Sequence, residues 1–334
     1  MGKGPSEIFH HQLHEDYVEG TLTCLKPETI KKKINTDFPL VLNIEPTNAC
    51  NLKCIFCARE KSVERQGINH LPLDMYKGII DEISEHKQLI MLNLHKDGEP
   101  MLHKELPEMI RYAKKKNAAK IVRFNTNGTL TGTNKGRAVL DAGVDDVTIS
   151  IDAAFPETYY RLKRSHGFDE LLRNIESFIE YRNRINASTN IRVKIIEFDQ
   201  VPKEEIEAFH TRWQDIADQV QVTGIHNWSD AIKNIRTTDE SSSTRYPCAL
   251  LWYALAVNSN GLVSVCNVDW DYSGVVGDIN EQALHTIWNN QKMKTIRRSH
   301  LNGDWPFIKV CEKCIVWVSV GDMADYLKTR EEFV

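Results

Sequence analysis

Short apolar runs recur along the chain from Pro39 onward, separated by longer stretches in which apolar positions return every three or four residues. The runs are LVLNIEPT (40–47), LIMLNLH (89–95), KIVRFNTNG (120–128), DDVTISID (145–152), NIRVKIIEF (190–198) and QVQVTGIHN (219–227). Most are too apolar to keep one face solvated, which predicts strands buried on both sides. Between them, Met75, Ile79, Ile80 and Ile83 fit one helical stripe, as do Leu171, Ile175, Phe178 and Ile179. Strands alternating with helices read as βα units on a parallel sheet. The right-handed crossover then makes a full or partial barrel a natural closure. An open doubly wound sheet is the competitor, and periodicity does not separate the two.

The pattern breaks over 229–247, a polar stretch with a serine run that reads as a linker. After it, LWYALAVNSNGLVSVCN carries an Asn260–Gly261 turn between two short apolar runs, the signature of a hairpin. Residues 282–300 then have helical spacing. The expected organisation is a lead-in over 1–38, an α/β unit over 39–228, the linker, and a smaller unit over 248–334.

A formal net charge of −4 with scattered basic residues gives no electrostatic reason to expect a nucleic acid partner. No run approaches the roughly 18 apolar residues of a membrane span, and the N-terminus lacks the apolar core of a secretion signal. A cytoplasmic protein without a membrane partner is expected. In such a chain, eight cysteines point to metal or redox chemistry more than to disulfides. Their placement divides them: Cys50, Cys54 and Cys57 crowd together, Cys248, Cys266, Cys311 and Cys314 follow late, and Cys24 stands alone.

Cys50, Cys54 and Cys57 form a C-x₃-C-x₂-C spacing directly after the first predicted strand. Three thiolates on one loop can ligate three irons of a [4Fe–4S] cube and leave the fourth iron open. The bland alternative is a structural zinc loop, which wants a fourth Cys or His nearby; none follows within the next ten residues. With the aromatic Phe56 before its last cysteine, the segment resembles the signature of the radical S-adenosylmethionine (SAM) superfamily. The resemblance implies that SAM binds the open iron and is cleaved to a 5′-deoxyadenosyl radical.

Three further segments resemble that superfamily. Asp97-Gly98-Glu99-Pro100 looks like its Gly-Glu-Pro motif, with Asp97 where a first glycine is usual, which implies that the SAM amino group is held there. Asn125-Thr126-Asn127-Gly128 looks like its strand-end Asn-Thr-Asn-Gly turn. Ser150-Ile151-Asp152 resembles the stretch reaching the SAM ribose or methionyl part, and Arg164 is the expected contact to the SAM carboxylate. Taken singly, these are a turn and a helix cap; falling at successive strand ends, where an α/β barrel builds its site, they read together.

Cys248, Gly261, Cys266, Cys311 and Cys314 give C-x₁₂-G-x₄-C, a gap, then C-x₂-C. This resembles the first half of the SPASM extension and the shorter twitch domain, implying a β-hairpin and helix that carry a fully ligated auxiliary [4Fe–4S] cluster. Four thiolates would also satisfy a tetrahedral zinc ion. The sequence has no cysteine after Cys314, so one auxiliary cluster is expected, two clusters in all. The implied fold is α/β: a partial (β/α)6 TIM-like barrel with a small C-terminal auxiliary-cluster domain.

The auxiliary spacing is similar to that of twitch-type members of aminoglycoside and sugar pathways, among them a dehydrogenase of an aminodeoxy-inositol in butirosin biosynthesis. This implies oxidation of a small polyol, aminocyclitol or sugar, with an electron donor such as flavodoxin or ferredoxin. Dehydration, decarboxylation, epimerisation and peptide modification are the neighbouring outcomes, and a non-catalytic electron carrier is the remaining class. His95, Lys96, His226, Trp228 and Asp269 are the candidate substrate contacts, with His95 or His226 suited to proton transfer near neutral pH.

Overall fold

The computed structural model describes residues 25–225, 228–229, 231–232 and 245–334, and the backbone alone of Ser319 and Val320. Cys24, His226 and most of the expected linker lie outside the described residues. After a short helix α1 (Pro27–Lys33), strands β1 (Val41–Ile44), β2 (Leu89–Asn93), β3 (Ala119–Thr126), β4 (Asp146–Ser150), β5 (Asn190–Glu197) and β6 (Gln219–Gly224) follow. The connections carry α2 (Arg59–Gln66) and α3 (Leu73–His86), then α4 (Leu106–Lys115), α5 (Asn134–Asp141), α6 (Pro156–Lys163) with α7 (Phe168–Arg184), and α8 (Lys203–Trp213).

The six strands pair in parallel in sequence order. That order never reverses, so the sheet is wound one way and the doubly wound alternative is excluded; the architecture is a partial (β/α)6 barrel. The helical stripes face it as expected, with Ile79, Ile80 and Ile83 of α3 and Leu171, Ile175, Phe178 and Ile179 of α7 all buried.

The second half departs from the expected separate unit. Strands β7 (Ala254–Val257), β8 (Leu262–Ser264) and β9 (Val275–Asp278) form an antiparallel meander, but β7 pairs in parallel with β1, so all nine strands make one sheet. The reason is local: β1 would otherwise leave an open hydrogen-bonding edge, and the apolar β7 is fully buried against it. The expected single helix over 282–300 is instead α9 (Leu284–Trp288) and α10 (Gln291–Leu301). The break is chemical, because the Asn290 side chain accepts from Met293 N–H and so caps α10, while its amide donates to the Val276 carbonyl. Two short helices, α11 (Lys309–Glu312) and α12 (Ala324–Lys328), complete the chain.

The barrel interior is polar although its strands are buried. Arg123 of β3 donates to Asp146 Oδ1 of β4 (3.0 Å), to Asn93 Oδ1 of β2 (3.0 Å) and to Asn125 Oδ1 (2.6 Å), and Asn93 continues to Asn43 of β1. Burial pushes the Asp146 carboxyl up, but the Arg192 and Arg123 guanidiniums outweigh it and hold the group below its usual range. This satisfied network floors the open end of the barrel, where the strand-end loops meet.

Candidate active site

The connection after β1 is held together by side chains that donate to its own backbone carbonyls. Thr47 Oγ1 donates to Asn69 O (2.9 Å), Asn48 Nδ2 to Gly67 O (2.8 Å), and Arg59 Nε to Asn48 O (2.6 Å). These bonds fix Cys50, Cys54 and Cys57 on the wall of one pocket, all three as free thiols. Burial raises each thiol above its ordinary range, Cys57 to about 12. A metal must therefore displace protons to bind them.

The Asp97–Pro100 turn closes directly on this loop. Glu99 N–H donates to Ala49 O (2.7 Å) and Asp97 N–H to Glu45 Oε1 (3.0 Å). The Glu99 carboxylate is buried and accepts from Met101 N–H, Thr126 Oγ1 and Asn127 N–H, so it ties the turn to the end of β3. Asn127 reaches toward Cys50 Sγ (4.0 Å) and donates to Asn51 Oδ1. Asn125, Asn127, Ser150 and Asp152 all line the same pocket. Asp97, which stands where the resemblance expected a glycine, forms a buried ion pair with Lys96 (2.6 Å).

Arg164 is not part of this pocket. It follows the last residue of α6 in a left-handed conformation (φ 58°) with its side chain exposed. The buried cation is its neighbour Lys163, which donates to Asp152 Oδ2 (2.6 Å) and Ser150 O (3.0 Å) and lies 5.2 Å over the Phe56 ring. The end of α6 turns Lys163 and not Arg164 toward the pocket. The aromatic before Cys57 thus packs on the cation that holds Asp152.

Asp269 is also corrected. Its carboxylate turns away from the pocket and accepts from Gly274 N–H (3.1 Å) and Ser273 Oγ (3.4 Å), shaping the loop after Cys266. Only its backbone carbonyl faces the barrel, where Lys96 Nζ donates to it (3.2 Å). Lys96 is held by Asp97 and this carbonyl; burial alone would lower its pKa, but Asp97 and Glu45 keep it firmly protonated. Trp228 does line the pocket, its indole donating to Phe56 O (3.1 Å).

His95 lines the pocket with Nδ1 buried and unpartnered. Burial, then the charges of Arg123, Lys194 and Lys96, push its pKa down to about 3, below the near-neutral range expected from sequence. Its ring should show no titration between pH 5 and 8 by NMR; a midpoint near the ordinary 6.5 would contradict this environment. The unfolded chain binds a proton below that ordinary value while the native ring does not. His95 therefore contributes a loss of stability that grows as pH falls from 6.5 toward 3.

Cys248, Cys266, Cys311 and Cys314 line a second cavity with Arg245, His300 and Trp317. Burial pushes Cys266 up to about 12 and Cys311 higher still. Arg245 donates to the carbonyls of Cys311 and Glu312 and stacks over Trp305 (4.9 Å). The two sites touch through Lys96, and through Glu45, whose Oε2 accepts from Ser259 N–H and Oγ beside the hairpin turn. Glu45, Lys163 and Arg245 were missed by sequence reasoning; only the position of Glu45 at the end of β1 offered a signal.

Three thiols on the wall of one pocket and four around a second cavity are donor sets of the kind iron–sulfur clusters take.

A profile of the radical SAM superfamily matches residues 44–208, and one of the SPASM iron–sulfur cluster-binding domain matches residues 248–315. The chain is 29% identical over 167 residues to Fe-coproporphyrin III synthase of Methanosarcina barkeri and 27% identical over 138 residues to GTP 3′,8-cyclase of Limosilactobacillus fermentum. These stretches cover 48% and 40% of this chain and only 40% of each relative. In fold it is similar to BtrN solved with AdoMet and 2-DOIA, with TM-score 0.57 and 17% identity over 83% of this chain and 93% of that one. It is also similar to Streptococcus suis SuiB bound to precursor peptide SuiA, with TM-score 0.62 and 14% identity over 89% of this chain and 74% of that one. Among the described residues no helix is long and apolar enough to cross a membrane. With both domain profiles falling on the two cysteine sites, the chain belongs to the radical SAM superfamily and carries a SPASM-type iron–sulfur domain.

Proposed function

We propose that this chain oxidises a secondary alcohol of a small polyol, aminocyclitol or sugar-type substrate to a ketone, using SAM and two [4Fe–4S] clusters. When bound, SAM and the two clusters would supply the radical for the carbinol hydrogen and the acceptor for the electron left behind, with the hydroxyl proton passing to solvent. Cys50, Cys54 and Cys57 hold the first cluster, and Cys248, Cys266, Cys311 and Cys314 the second. Gly98, Glu99 and Pro100 shape the seat of the SAM amino group, with Glu99 locked by three donors. Asn125, Asn127, Ser150 and Asp152 offer polar contacts to SAM, and Phe56 and Lys163 fix the wall that carries Asp152. Lys96, paired on both sides, positions rather than transfers. An electron donor of the flavodoxin or ferredoxin type reduces the first cluster. The working division into 39–228 and 248–334 follows the two cysteine sets.

The observation that carries this reading is the direct link between the two sites: Lys96 bonds both Asp97 of the pocket and the Asp269 carbonyl of the auxiliary loop. An electron acceptor built against the substrate pocket suits oxidation. Cys311→Ser should keep 5′-deoxyadenosine formation and lose the ketone, read by product chromatography with candidate polyols under a strong reductant. Ketone formed at the unaltered rate would remove the auxiliary site from the chemistry. A peptide substrate is the second reading, favoured by the likeness to SuiB; a modified peptide among the products would select it.

A further inference from the structure

Four of the buried cations in and beneath the pocket have a carboxylate of their own. Lys96 pairs with Asp97 (2.6 Å), Lys163 with Asp152 (2.6 Å), and Arg123 and Arg192 share Asp146 (3.0 and 3.3 Å). Lys194 is different. It sits inward on β5, opposite Ser150 in register, and its side chain lines the pocket with no hydrogen bond or ion pair among the described residues. Burial lowers its pKa, and of the groups around it only Asp152 and Cys54 favour the charged form while Lys163 and Arg123 oppose it. Lys194 is half-buried, so its head group stays open to the pocket, where a ligand of opposite charge can pair with it.

A second unmet group shares this floor. His95, at the end of β2, has Nδ1 buried without a partner, and Lys194 lies within electrostatic reach of its ring. That nitrogen is closed to solvent, so the ring walls the floor rather than donating into it. Lys194 thus offers the floor beside His95 a cation without a carboxylate, above an Arg123 that already donates to four acceptors.

We propose that the floor between Lys194 and His95 is a subsite for an oxyacid group of the substrate, a carboxylate or phosphate. The inference rests on the reading of this pocket as the radical SAM site, and it narrows the substrate to an acidic polar molecule such as a sugar acid or sugar phosphate. The carboxylate of SAM offers the same chemistry, so the test must separate the two sources.

The test uses anaerobic calorimetry on the cluster-loaded chain saturated with SAM, titrated with inorganic phosphate and, separately, malonate. At least one of these anions should bind, and Lys194→Met should weaken it by about tenfold or more, the loss expected when one partner of a buried charged pair is removed. Lys194→Arg should restore binding, which distinguishes lost charge from a misfolded pocket. SAM affinity, read by the same calorimetry, should stay within about threefold in Lys194→Met. The proposal is overturned if neither anion binds the SAM-loaded wild-type chain. It is equally overturned if Lys194→Met weakens SAM rather than the anions, for then the lysine serves the SAM carboxylate. Failure of the wild-type, cluster-loaded chain to cleave SAM under reductant would instead remove the proposed function, whatever the calorimetry gives.

Discussion

Cys54→Ala should abolish 5′-deoxyadenosine formation and lower the bound iron from about eight to about four per chain, one cube remaining at the auxiliary cysteines. Cys54 is the middle ligand of the loop, half-buried, with the charges of Lys163, Asp152 and Lys194 around it. The loop itself is held by backbone bonds away from the thiol, including Ile55 N–H to Leu162 O and Cys57 N–H to Cys54 O. Removing one sulfur therefore deletes a ligand without releasing the scaffold. Two thiolates cannot hold a cube that already keeps one iron free of protein. The variant should fold, bind iron at the second site and show the thermal unfolding of the wild-type apoprotein. Iron analysis and chromatography of the SAM products check both halves. SAM cleavage that persists with Cys54 gone would mean that the first loop is not the site.

The barrel was legible because its strands announce themselves as short apolar runs and its helices as stripes; both survive in the folded chain. The polar lining of the interior was less visible. Arg123 and Asn125 on β3 and Arg192 and Lys194 on β5 alternate with apolar residues, and this period of two is the trace of an inward face, while Asn43 and Asn93 are the single polar residues of β1 and β2. Each strand read singly looked apolar enough to hide it. The cysteine sets were legible from spacing alone, since ligands on one loop must sit close in sequence. What spacing could not give is which of Arg161, Lys163 and Arg164 turns inward, because a helix end decides it. Nor could it give the pairing of β7 with β1, a contact between residues more than two hundred positions apart in the chain.

Gly98→Ala should cost the chain its SAM binding, and about 1–3 kcal/mol of stability from overpacking. A methyl carbon at position 98 would lie 2.1 Å from Thr47 O, 2.7 Å from Ala49 O and 2.8 Å from the Asn48 carbonyl carbon. All three are backbone atoms, so no side chain can swing aside. Nor can the turn withdraw, because Glu99 N–H bonds Ala49 O and Asp97 N–H bonds Glu45 on either side of the clash. The cysteine loop must shift instead, and with it the relation between Cys50 and the Glu99 seat. Gly78→Ala is the matched control: it lies in α3 with nothing within 4 Å of the added carbon. There alanine should stabilise by about 0.4–1 kcal/mol through lost unfolded-state freedom. Stability in urea and SAM binding to the cluster-loaded forms should therefore fall together for Gly98→Ala, while Gly78→Ala raises the first and leaves the second unchanged. Unchanged SAM affinity in Gly98→Ala would show that the turn and the cysteine loop are not one rigid seat.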